Sequence, residues 1–349
     1  MKKFWMLICS LVLLGGCAGG NNSASKEFEG QTLKVFNWGE YIGEDVISEF
    51  EDQYGVKVVY ETFLSNEAMY TKLQTGDVYD VLVPSDYMIE RLIQEDMLQK
   101  LDHTKIPNLS KLAEGVKNLS YDPNNDYSVP YFWGSVGIVY NTNNVDFEDL
   151  ENEGFSIFHD TKYAGRIYMY DSERDSFMMA FKALGYSMNT SDETEISEAY
   201  DWLKEINRTM SPAYVTDEVI DSMSAGRKDL AVVYSGDAVT ILDENEDMGY
   251  YCPKEGTNLW SDAMVIPKNA ANPDLAHVFI NFIMSDEISR QNSEYAGYAS
   301  SNDFILDELS LDMNEAYIPR SGYEKDEVFV YNKELTAKLS ELWVKVKAQ

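Results

Sequence analysis

The strongest constraint in this sequence is an ordered change of period. Over residues 32–98 a strand-like run gives way to a helix-like run three times in succession. TLKVFNW precedes EDVISEFEDQYG, whose Val46, Ile47, Phe50 and Tyr54 share a helical face before a stop at Gly55. VKVVYETF precedes SNEAMYTKLQTG, which Ser65 opens as a cap. YDVLVPSD, halted by Pro84, precedes DYMIERLIQEDML, with Met88, Leu92 and Ile93 on one side. Repeated strand–helix–strand crossovers predict a parallel sheet with helices on both faces.

The middle breaks this rhythm. NNDYSVPYFWGSVGIVYNTN is extended, aromatic and punctuated by glycine, as suits a crossing between domains. A second α/β set follows: strand RIYMYDS, helices RDSFMMAFKALGYS and TEISEAYDWLKEINRT, and DLAVVYSGDAVTIL as a strand running into a helix. YYCPKEGTNLWSDAMVIPKNA predicts two extended pieces around a turn. NPDLAHVFINFIMSDEISRQNSEY predicts one long amphipathic helix, and ELTAKLSELWVKVKA a closing one. With 349 residues, 44% of them hydrophobic, the chain can bury two such cores.

The N-terminus carries an address. MKKFWMLICSLVLLGGC places two lysines before an apolar run too short to span a bilayer, the pattern of a secretory signal over residues 1–16. Leu14-Gly-Gly-Cys17 is similar to a bacterial lipobox, which implies lipid on the Cys17 sulfur. Residues 17–30 then read as a flexible leash. Such a chain is anchored to the membrane from outside the cytoplasm, not threaded through it. Cys9 leaves with the signal, so Cys252 stands alone. No disulfide framework or thiol pair for a metal is expected.

The formal charge is −32, spread along the chain. That argues against nucleic acid and against an electrostatic hold on anionic lipid. The informative acids sit elsewhere. In open parallel sheets, ligands bind off the carboxyl ends of the strands, and aromatic–acidic clusters fall at those ends. They are Trp38, Glu40 and Tyr41; Ser85, Asp86 and Tyr87; Asp171, Ser172 and Asp175; Tyr234 and Asp237; and Trp260 with Asp262 on one strand face. Arg174 is the one cation close by. Ring faces attract cations by about 0.5–2 kcal/mol, and carboxylates pair with desolvated ammonium groups. Rings for methylenes and carboxylates for amines describe a site for an organic polycation. Singly, each residue also has a bland reading: Trp38 as core, Glu40 as a solvated loop acid, Asp262 as a turn cap.

The stretches FNWGEYIGEDVISEFEDQYGVKVVYETFLSNEAMYTKL, YDVLVPSDYMIERL, YDPNNDYSVPYFWGSVGIVYN, LWSDAMVIPKNA and YAGYASSN occur in one collinear order. Together they resemble the extracytoplasmic spermidine/putrescine-binding proteins of polyamine ABC transporters. The resemblance implies a type II periplasmic-binding-protein fold, with two α/β lobes and a ligand cleft between them. The expected lobes are residues 31–136 plus 263–306, and 137–262 plus 307–349. It implies ligand contacts at Trp38, Tyr41, Ser85, Tyr87, Thr216, Trp260, Asp262 and Tyr298, with Glu40 beside the first pair. Three positions depart from the family. Its second-lobe acid pair reads Ser172-x-x-Asp175, with Asp171 adjacent; its tryptophan is Tyr234; and its C-terminal glutamine aligns with Asn332.

The resemblance thus implies a polyamine ligand, an ABC permease as partner, no cofactor, no metal and no catalysis; a monomer is the simplest form for such a shuttle. From the residues alone two other readings stay open. Carboxylates beside tryptophans also describe an acid/base glycosidase, and the same fold could hold ferric ion, a sugar or an amino acid. His103, His159 and His277 lie outside the clusters and read as packing residues.

Overall fold

The computed structural model describes residues 27–320 and 322–348. The expected signal, the Cys17 anchor and most of the leash lie outside that range.

The first three strand–helix units form as their periods dictate. Strand β1 (Thr32–Trp38) pairs in parallel with β2 (Lys57–Phe63) and β3 (Val81–Leu82). Helices α1 (Val46–Tyr54), α2 (Asn66–Gln74) and α3 (Asp86–Gln94) connect and follow them. Gly55 ends α1 at φ 67°, a left-handed C-cap that glycine adopts without a Cβ penalty. The Ser65 hydroxyl accepts the Ala68 amide at 3.1 Å, satisfying one orphan donor at the start of α2.

The extended middle is a 14-residue strand, β4 (Ser128–Asn141), that belongs to two sheet segments. Residues 128–135 pair antiparallel with β9 (Leu259–Val265), which in turn lies beside β3. From Val136 onward β4 pairs instead with β7 (Leu230–Tyr234) and β8 (Met248–Tyr251). The short β10 (Ala299–Ser300) also pairs with its first half, at Trp133 and Phe132. The second segment continues as β7, β5 (Ile167–Tyr170) and β6 (Ala213–Val215), mutually parallel. The sheet is therefore mixed, not purely parallel: β4 and β9 run against their neighbours because the chain must travel between segments.

The second segment is covered by α4 (Phe147–Glu153), α5 (Glu173–Ala183), α6 (Glu193–Met210), α7 (Glu218–Ser224) and α8 (Ser235–Glu244). Fully buried Phe177, Phe181, Leu203 and Ile206 show which faces of α5 and α6 turn inward. The expected single helix over 272–295 is instead two, α9 (Pro273–Ile283) and α10 (Asp286–Ala296). Ser285 breaks it: its backbone is extended, and its hydroxyl takes the Phe282 carbonyl at 2.7 Å in place of continued helix. Asp286 and Glu287 then restart the helix where acids are favoured. Helix α11 (Asp303–Leu309) and the closing α12 (Lys333–Lys347) complete the chain.

Candidate functional site

The two sheet segments meet at a row of five aromatic rings. Tyr41, in the loop after β1, sits 5.6 Å from Tyr298, which precedes β10. Tyr298 is 5.2 Å from Trp260 on β9, Trp260 is 5.9 Å from Tyr234 at the end of β7, and Tyr234 stacks on Tyr170 at 4.7 Å. The first three contacts are edge-to-face, the arrangement that ring quadrupoles favour, and each leaves part of a π face open. Two glycines make the approach possible. A Cβ on Gly134 would lie 2.5 Å from the Trp260 ring, and one on Gly236 would lie 2.3 Å from Tyr298.

Three aspartates are set along this row, each held by a tyrosine hydroxyl. Tyr41 donates to Oδ2 of Asp262 at 2.8 Å. Tyr298 and Tyr170 donate to the two oxygens of Asp237, each at 2.7 Å. Tyr234 and Ser172 both donate to Oδ2 of Asp175 at 2.7 Å. Burial dominates their ionisation. Asp262 is pushed up to about 6 by desolvation, with the nearby Ser85 and Tyr41 hydroxyls pulling it back. Asp237 is likewise raised to about 6 by burial against the pull of Tyr170 and Tyr298. Asp175 is also raised by burial, while Tyr234, Ser172 and Arg174 oppose the shift.

Asp262 is 5% exposed, and its Oδ1 has no hydrogen-bond partner of ordinary geometry. The indole nitrogens of Trp38 and Trp260 are buried without acceptors as well. A buried acceptor left unpaired costs about 1–3 kcal/mol, more when charged, so Asp262 is built to receive a donor. Beside it, Asp86 is raised to about 8, first by burial and further by the charge of Asp262. Near neutral pH the pair therefore carries most of its charge on Asp262.

Among the described residues, the one cation at this row is Arg174, at its other end. The Arg174 guanidinium lies 3.6 Å from the Tyr87 ring centroid and 3.9 Å from Glu67, so it bridges α5 to the first segment. Asn66 donates to both Ser85 and Tyr87 at 3.0 Å, fixing that wall. Ser85 in turn forms an isolated β-bridge with Asp262.

Nine expected residues thus gather: Tyr41, Ser85, Tyr87, Ser172, Asp175, Tyr234, Trp260, Asp262 and Tyr298. Trp38 stands at the flank, its ring 4.5 Å from Phe63. Four do not join. Glu40 is exposed at φ 49° and accepts from Tyr295. Asp171 is taken by Lys347 and the Trp343 indole. The Thr216 hydroxyl is spent on Glu218 at 2.9 Å. Asn332 caps α12 through Glu334 and Leu335 amides and lines an outer depression with Gln94 and Asn189. Each has a partner: Thr216 and Asn332 within three residues, Glu40 on α10 and Asp171 on the C-terminal helix. Two contributors were not among the expected contacts. Asp237 had a signal, a carboxylate one turn past a strand end; Tyr170 is indistinguishable in sequence from a core strand residue.

The profile of the bacterial extracellular solute-binding protein family matches residues 45–317. The spermidine/putrescine-binding periplasmic protein of Escherichia coli is 34% identical over 293 residues, 83% of each chain. The crystal structure of the PotD substrate-binding protein of Streptococcus pneumoniae, in complex with calcium and HEPES, superposes with a TM-score of 0.78 at 36% identity, covering 91% of this chain and 99% of that one. The Tp0655 (TpPotD) lipoprotein of Treponema pallidum gives 0.78 at 27%, covering 90% and 99%. The fold is that of type II periplasmic binding proteins, two α/β lobes joined by crossing strands.

Proposed function

The chain belongs to the bacterial extracellular solute-binding protein family, and from that premise we propose that it captures polyamines, putrescine or spermidine, between its lobes and delivers them to an ABC importer. The observation that carries this reading is the Asp262 carboxylate, buried among rings with one oxygen unpaired and no lysine or arginine among the groups that set its ionisation. An ammonium group supplies what that oxygen lacks. Tyr41 holds the carboxylate in one orientation, so little ordering remains when the amine arrives. Trp260 and Tyr298 cover the methylenes and face the charge with their π systems.

Capture and release call for no bond-making step, so the chain acts as a carrier. Closure of the lobes on the ligand expels water and strengthens each charge pair as the local dielectric falls. The closed form is then what the permease reads. The Leu14-Gly-Gly-Cys17 pattern supports tethering at the outer face of the cell membrane through lipid on Cys17, and a monomer is the simplest form for a carrier that presents both lobes to a permease.

Titration calorimetry of the purified chain with putrescine and spermidine tests the reading. Saturable one-to-one binding of at least one of them is expected. Absence of heat with both, alongside binding of a sugar or an amino acid, would overturn it.

A further inference from the structure

We propose that Asp86 is a positioning residue of the ligand site: its buried carboxyl supplies the next rung of the ladder between β3 and β9, and so fixes the peptide that carries Trp260 and Asp262. The inference rests on the polyamine reading above and says what holds its anchor in place. The ladder runs antiparallel in one register, with Leu82 opposite Val265 and Ser85 opposite Asp262. Along it the Ala263 amide donates to the Pro84 carbonyl at 3.0 Å. In an antiparallel pair such bonds recur at every second residue, so the Ser261 amide should next meet the backbone carbonyl of residue 86. That residue opens α3, and its carbonyl has turned along the helix. The Asp86 side chain takes its place, Oδ2 accepting the Ser261 amide at 3.3 Å.

Burial sets this acid apart from an ordinary helix-opening aspartate. Asp86 is 1% exposed, and a carboxyl so placed is costly unless its oxygens are used. Its Oδ1 accepts the Tyr87 amide at 2.6 Å, so backbone donors hold both oxygens and leave the group one orientation. The rung it supplies lies between the Trp260 ring and the Asp262 carboxylate along β9. Among the described residues, the charged and titratable groups facing it are Asp262 from β9, Arg174 from α5, Tyr87 on its own helix and Tyr121 from the segment before β4. Burial, with the charge of Asp262 behind it, pushes the carboxyl up to about 8, against the pull of the Tyr87 and Ser261 amides and of Arg174. At neutral pH Asp86 therefore keeps its rung while sparing Asp262 a like charge. Above about pH 8 it ionises and adds a second anion behind the amine.

Two variants test this. Asp86→Ala leaves the Ser261 amide buried without an acceptor and should weaken putrescine binding about tenfold in calorimetry at pH 7. Asp86→Asn keeps an oxygen for that amide and the neutral state, so its affinity there should stay within about threefold of the parent. Between pH 7 and pH 8.5 the parent should gain on Asp86→Asn by about threefold or more, because only the parent acquires the second anion. Titration of the ligand is common to both and cancels in that ratio. A role confined to folding would lower the melting temperature of Asp86→Ala and leave the affinity and the pH ratio unchanged; that result would overturn the proposal. Hydrogen exchange needs no ligand: protection of the Ser261 amide should fall at least about tenfold in Asp86→Ala, and unaltered protection would equally overturn it. Should Asp86→Ala not fold, the pH ratio of Asp86→Asn decides alone. Failure of the unaltered chain to bind either polyamine would instead sink the function reading, and the exchange measurement would still judge Asp86.

Discussion

The hydroxyl of Tyr298 reaches Asp237 at 2.7 Å, and that bond joins the two sheet segments at the middle of the aromatic row. Closure and recognition therefore share one aromatic side chain: its ring faces Tyr41 and Trp260, and its hydroxyl holds an acid from the opposite lobe. A site built this way couples what is bound to how the lobes stand.

On the proposed reading Asp262 anchors an amine, so Asp262→Asn should remove most of the affinity. Truncating one partner of a buried charge pair costs about 2–5 kcal/mol, and calorimetry with putrescine and spermidine should show binding lost or weakened by that amount. The circular dichroism of the free variant should match the parent. Retained affinity would mean that the amines lie elsewhere.

Acidity should act in opposite directions on the free and the loaded protein. Asp262 and Asp237 are raised to about 6 and Asp86 to about 8, all above the carboxylate range of an unfolded chain. A raised folded value means stability that is full at low pH and lost as pH rises through the folded value. These groups should therefore make the empty protein less stable as pH climbs from about 4 to about 8. Amines need the anions, so the gain in melting temperature on adding putrescine should shrink as pH falls below about 6. Melting curves across pH, with and without ligand, test both signs together.

Gly236 leaves room for Tyr298. A methyl there would stand 2.3 Å from the ring, so Gly236→Ala must displace Tyr298 or hold the lobes apart. Polyamine affinity should drop at least about tenfold, while unfolding in urea changes by about 1–3 kcal/mol at most. Gly39→Ala, where nothing lies within 4 Å, is the matched control.

Arg174 fills the end of the row beside Tyr87. Its charge opposes the rise that burial causes at Asp175, and on the polyamine reading it competes with a further amine at that end. Arg174→Gln should raise the affinity for spermidine relative to putrescine, read as the ratio of their dissociation constants. A ratio that stays put would remove Arg174 from the determinants of chain length.

A buried pair outside the site should govern stability alone. Lys182 is almost wholly buried on α5, pairs with Glu327 and donates to the Lys325 carbonyl at 2.7 Å, pinning the segment before α12. Lys182→Met leaves Glu327, still held by Ser187 and Asn189, without its cation and should cost about 1–3 kcal/mol in urea unfolding, with polyamine affinity nearly unchanged.

Much of this was legible from the chain itself. The period changes over residues 32–98 placed three strand–helix units, and the same rule that puts ligands at strand ends placed Tyr41, Ser85, Tyr87, Tyr234, Trp260 and Asp262 near one another. Backbone periodicity is local, and residues a few positions apart determine it. Which carboxylates stay available is a different matter, because a hydrogen bond is settled by whatever the fold brings within 3 Å. Asp171 looked as free as Asp262 until Lys347 and Trp343, from the last helix, closed on it. Glu40 was spent on Tyr295 in the same way, whereas Thr216 and Asn332 were spent on residues two or three positions away. Asp237 became part of the site because a tyrosine from the other lobe came to it. Sequence determined the strands, the helices and the aromatic–acidic character of their ends; tertiary structure alone decided which acids remained buried, anionic and unclaimed, since that depends on neighbours far away along the chain.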